Sequence, residues 1–155
     1  MSALAMAHLG ALVVLALACA LVDLTTRRIP NLLNLVVLLV GAGFVIAMAT
    51  PQTALMHLAH FALALIAAMI LFRFNMWGGG DAKFYAAVAL WFPLVQAPML
   101  ALYTALAGVV LVVAFSLTPS KKKRRERLAM LPYGVAIAAG AIGLAVLSAT
   151  GDMPG

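Results

Sequence analysis

The sequence predicts an all-α fold, a polytopic integral membrane bundle of six transmembrane helices with both termini outside, and three observations predict it. Of 155 residues, 66% are hydrophobic and 9% charged, whereas soluble domains are about half apolar and about a quarter charged. The apolar residues gather into six runs. All ten Lys and Arg lie on connections that alternation of the spans puts on one side, as expected of cytoplasmic loops.

A hydrocarbon core of about 30 Å takes about 20 helical residues, fewer where protein buries an end. Such spans must be helical, because an unpaired amide in hydrocarbon is costly and a lone strand cannot satisfy its own. The first run covers residues 3–22. It lacks a basic n-region and exceeds an ordinary h-region, so it reads as a retained span. The second covers 32–49, with Pro30 suited to its first turn. After a Thr50-Pro51-Gln52-Thr53 turn the third covers 54–72. The fourth opens at Asp81 and fades by Leu94, the shortest of the six, and residues 92–98 read as a tight connection. The fifth covers 99–117, and the sixth, after a basic stretch at 121–127, covers 128–149. Ala139 and Gly143 are spaced to let helices approach closely.

Arg27 and Arg28 follow span one, Arg73 follows span three, Lys83 opens span four and the other six cations follow span five. Merging spans four and five would put the 121–127 cluster outside, so the charges support six spans in a single domain over 1–155. That cluster reads as a topology anchor on anionic lipid. The net charge of +6 is therefore accounted for by the membrane, not by nucleic acid. One cysteine, Cys19, excludes an intramolecular disulfide and a multi-cysteine zinc site. It lies one turn before Asp23 and reads as packing.

Four residues are acidic. Asp152 falls in the external tail and Glu126 among basic neighbours, which leaves Asp23, where span one reaches the cytoplasmic edge, and Asp81, where span four leaves it. Acids at span ends are functional candidates by default. Two approaching carboxylates cannot comfortably both ionise; they share a proton, and one acts as base on water while the other polarises a carbonyl. Gly78, Gly79 and Gly80 allow tight backbone geometry before Asp81. The plainer alternative makes them a turn with Asp81 as the N-cap of span four. Lys83 nearby does not make a phosphate loop, because the Gly-Lys-Ser/Thr ending is missing. Asn31 and Asn34, one turn apart, are expected to hydrogen-bond between helices. His57 and His60 share a face near the external end without an evident third metal ligand.

At these residues the chain resembles the type IV prepilin peptidases, membrane aspartic proteases whose signatures are an Asp followed after a basic stretch by Pro-Asn, and a Gly-x-Gly-Asp. Here these read Asp23 with Pro30-Asn31, and Gly78-Gly79-Gly80-Asp81 followed by Ala82-Lys83. Pro132-Tyr133-Gly134, opening span six, is similar to the family's late Pro-aromatic-Gly element. The resemblance implies cleavage of the basic leader of prepilins or pseudopilins at the cytoplasmic face of the bacterial inner membrane, with Asp23 and Asp81 catalytic and no metal or cofactor. It implies positioning roles for Pro30, Asn31, Gly78, Gly79, Gly80, Lys83, Pro132, Tyr133 and Gly134. Larger members also methylate the new N-terminus and carry a cysteine-paired cytoplasmic region. This chain, with Cys19 alone, looks like the short form found with tight-adherence (Flp) pilus systems. A proton- or ion-coupled transport subunit and a non-catalytic assembly scaffold are the rival readings of the same carboxylates.

Overall fold

The computed structural model describes residues 2–117 and 131–150; Glu126, Asp152 and the basic stretch at 121–127 lie outside them. Its helices are α1 (Ala3–Thr26), α2 (Asn31–Met48), α3 (Pro51–Arg73), α4 (Gly79–Ala89), α5 (Ala97–Ser116) and α6 (Tyr133–Thr150), with a 3-10 turn at Leu94–Gln96 before α5. Five of these, α1, α2, α3, α5 with its preceding turn, and α6, are long and apolar enough to cross a membrane.

Local chemistry sets most of the boundaries. The Ser2 hydroxyl accepts from the Ala5 amide at 3.2 Å and starts α1. The helix runs on to Thr26, so Asp23 lies inside its last turns and not beyond its end. It stops because Arg27 turns left-handed (φ 56°), its amide closing on the Asp23 carbonyl at 2.9 Å. Pro30 is the cap preceding α2. The turn expected at Thr50-Pro51-Gln52-Thr53 belongs instead to α3: the Thr50 hydroxyl accepts from the Thr53 amide at 3.3 Å and Pro51 fills the first helical position, where its missing amide costs nothing.

The fourth element departs most from expectation. α4 has 11 residues, about 17 Å of helix at 1.5 Å per residue, and cannot cross a bilayer on its own. Protein covers it instead: Ala82 and every residue from Phe84 through Ala89 are buried. Pro93 disfavours helical geometry at Phe92, and α4 ends at Ala89 although the apolar run continues through Trp91 and Phe92. Carbonyls freed at such an end need donors away from water. His57 Nδ1 lies 2.8 Å from the Leu90 oxygen and His60 Nδ1 2.9 Å from the Phe92 oxygen. A carbonyl only accepts, so both histidines donate. Trp91 Nε1 donates to the Val37 carbonyl at 3.1 Å. The two histidines thus tie the end of α4 to α3.

α6 packs between α1 and α5, α4 packs on α3 and α2 and touches α6, and α1 closes on α2. Between α5 and α6 the tight position is Gly140: a Cβ there would lie 2.7 Å from the Thr104 amide nitrogen, whereas one at Gly143 would meet the Tyr103 ring at an ordinary 3.9 Å. Backbone cannot yield as a side-chain tip can. Gly140→Val is therefore expected to lower stability by about 1–3 kcal/mol or more, read as a lower midpoint of denaturant unfolding in detergent, and Gly143→Ala to leave it nearly unchanged.

Candidate active site

Asp23, on the last turns of α1, is 4% exposed. Its Oδ2 accepts from the amide of Gly134 at 2.9 Å. Gly134 belongs to the first turn of α6, where helix amides have no partner within the helix and the dipole favours negative charge. The pairing needs glycine: a Cβ at 134 would stand 2.8 Å from Asp23 Oδ2 and 2.7 Å from Ile29 Cδ1. Pro132 and Tyr133 lead into that turn, with Pro132 fully buried.

Asp81 is the third residue of α4, not its N-cap as the plainer sequence reading had it; Gly78 is the cap. The Asp81 carboxylate reaches back to accept from the Gly78 amide at 3.2 Å, which is the half of a capping box that a glycine cap permits. The glycine pattern follows from sterics. A Cβ at Gly78 would lie 2.8 Å from Asp81 Oδ2 and one at Gly80 would lie 3.0 Å from the Ile29 carbonyl, whereas one at Gly79 would meet only the Phe72 ring at 3.4 Å. The two outer positions are tight and the one between them is not.

The two carboxylates share surroundings. Ile29 joins them: its side chain packs on Gly134, whose amide bonds Asp23, and its backbone packs on Gly80, which immediately precedes Asp81. The start of α2 is fastened to the start of α4 beside them. Asn31 Oδ1 accepts from Lys83 Nζ at 2.8 Å, and the buried Asn34 donates from Nδ2 to the Gly80 carbonyl at 3.0 Å. A cleft of about 490 Å³ opens here, lined by Arg27, Arg28, Ile29, Asn31, the three glycines, Asp81 and Lys83. Asp81 faces it, and Asp23 is not among its lining residues.

The structure therefore gathers Asp23, Asp81, Asn31, Gly78, Gly79, Gly80, Lys83 and Gly134 at one end of the bundle, with Pro30 and Tyr133 flanking them. The model of the type IV leader peptidase family matches residues 10–113, a segment that holds both aspartates and the glycine loop. This chain belongs to the type IV leader peptidase family. Comparison with curated proteins and with solved structures gives no match. Membership of a leader peptidase family makes the reaction hydrolysis of a peptide bond.

Beyond the residues read from the leader peptidase motifs, the site includes Asn34 and Ile29. Asn34 carried a signal, a carboxamide in an apolar helix with no water to satisfy it. Ile29 carried none. Asn34→Leu leaves the Gly80 carbonyl without that donor and is expected to cost about 1–3 kcal/mol of stability. Because that carbonyl immediately precedes Asp81, substrate turnover should fall with it, whereas Leu35→Ala, on an exposed position, should do neither. Unfolding in detergent and a cleavage assay on the same preparations check both effects.

Proposed function

We propose that this chain is an integral-membrane aspartic endopeptidase that removes the basic leader of type IV, Flp-type prepilins or pseudopilins at the cytoplasmic face of the bacterial inner membrane. The observation that carries the reading is that Ile29 joins the two helix starts: Gly134, whose amide bonds Asp23, and Gly80, which immediately precedes Asp81, both pack against it. Arg27, Arg28, Arg73 and Lys83 belong to helix ends and connections on the side of the aspartates, which supports a cytoplasmic orientation.

In this mechanism Asp23 and Asp81 hold one proton between them, since two neighbouring carboxylates in a water-poor site do not both ionise readily. The ionised member takes a proton from a water molecule as the oxygen attacks the scissile carbonyl. The protonated member hydrogen-bonds the carbonyl oxygen as it becomes an oxyanion. Collapse of the tetrahedral intermediate breaks the C–N bond, and a carboxyl group returns a proton to the leaving amine. The Gly134 and Gly78 amides hold the carboxylates in place, and the Asn34 and Lys83 bonds hold α4 against α2, so that the geometry exists before substrate arrives.

Purified chain in proteoliposomes, incubated with a leader-bearing prepilin, is expected to release the leader in one cut, with product masses that place the break between the leader and the apolar segment. An intact prepilin after prolonged incubation, with a correctly folded chain, would overturn the assignment. A uniform ion flux that disappears with Asp81→Asn in the same vesicles would favour a transport subunit instead.

A further inference from the structure

We propose that the groove between α3 and α5 seats the membrane-embedded apolar segment that follows the scissile bond of the substrate, an inference that rests on the peptidase reading above. The groove encloses about 560 Å³, against about 490 Å³ for the cleft beside Asp81, and its walls come from α3, α5 and α6. Among the described helices α3 packs on α4 and α5 on α6, and the main helix pairings do not join α3 to α5. The two therefore flank a gap.

Residues next in sequence to the amides that bond the carboxylates line that gap. Trp77, Tyr85 and Tyr133 all line the groove; the Trp77 ring lies 5.2 Å from Tyr85 and 6.4 Å from Tyr133 between centroids. Trp77 immediately precedes Gly78, whose amide bonds Asp81, and Tyr133 immediately precedes Gly134, whose amide bonds Asp23. An extended chain leaving the groove past these rings arrives at the two amides that hold the dyad. Amphipathic rings of this kind suit the place where an apolar segment gives way to a wet site.

The wall itself leaves room that the described residues do not fill. Gly108, on α5, lines the groove, and a Cβ there would meet nothing within 4 Å. A helical glycine is about 1 kcal/mol less favourable than alanine, and no close neighbour among the described residues requires it. Close approach by the backbone of another helix does require it. Ala105, one turn earlier, lines the same wall. The cleft that Asp81 faces carries Arg27, Arg28 and Lys83, so a basic leader is kept from folding into the bundle, and the apolar side of the scissile bond is the part that enters. A lipid chain would fit the wall, but it has no reason to end at the dyad.

The test compares two substrates in proteoliposomes: a full-length prepilin, and a short soluble peptide with the leader and a few residues past the cut. Gly108→Leu and Ala105→Leu are expected to lower the ratio of kcat/KM for prepilin over peptide by about tenfold or more, mainly through KM for the prepilin. A photo-crosslinking residue at Val109, which is 59% exposed, should form its adduct with the apolar segment of the prepilin. An unchanged ratio in both variants, or Val109 adducts only with lipid or with a second copy of this chain, overturns the inference. If the variants lose activity on both substrates, the Val109 adduct decides. Failure of the unmodified chain to cut either substrate would instead count against the peptidase reading.

Discussion

Asp81→Asn and Asp23→Asn should each reduce prepilin cleavage by on the order of a hundred- to ten-thousand-fold or more while leaving the fold intact. Asparagine is the informative replacement because its carbonyl oxygen can still accept from the Gly78 amide at position 81 and from the Gly134 amide at position 23. What it removes is the exchangeable proton and the charge. Both hydrogen bonds that tie α6 to α1 and α4 to its own cap survive, so stability in detergent should fall by less than about 1 kcal/mol. A non-catalytic scaffold would behave differently, with function and bundle stability declining together. Initial cleavage rates and unfolding midpoints from the same preparations separate the two.

Gly134→Val is the second large effect, and it reaches the site through shape alone. A Cβ at this position would overlap Asp23 Oδ2 at 2.8 Å and Ile29 Cδ1 at 2.7 Å. The start of α6 or the carboxylate has to move. Misplacing a catalytic group by about 1 Å costs about a hundredfold in rate, and overpacking costs about 1–3 kcal/mol. The variant is therefore expected to remain folded at low temperature, melt earlier and turn over substrate about a hundredfold more slowly. Cleavage within twofold of the unmodified chain would show that the Gly134 amide is not what positions Asp23.

The limits of sequence reading have physical causes in particular residues. Long apolar runs announce themselves because a bilayer demands length, and capping residues such as Ser2 and Thr50 mark where helices begin. The end of α4 does not announce itself, since Leu90, Trp91 and Phe92 are as apolar as the helix before them. It becomes legible only when His57 and His60 are seen donating to the carbonyls released there. Those histidines, read from sequence as a bare metal-ligand possibility, serve a backbone that has no water. The aspartates could be singled out by scarcity and charge placement. The partner of Asp23 could not, because the bond from Gly134 to Asp23 joins residues 111 positions apart. Asn31 and Lys83, read separately, turn out to bond each other. The two outer glycines of the loop are each crowded by a contact, one from the loop's own aspartate and one from the α1–α2 connection.

The central claim is that Asp23 and Asp81 act as one unit, and a double-mutant cycle on prepilin cleavage tests it most directly. Groups that perform a single step together are strongly non-additive, so removing the second costs little once the first is gone. The account predicts that Asp23→Asn/Asp81→Asn cleaves no more slowly than the slower single variant. Independent, multiplying losses would contradict it, as would a single variant that keeps near-normal turnover.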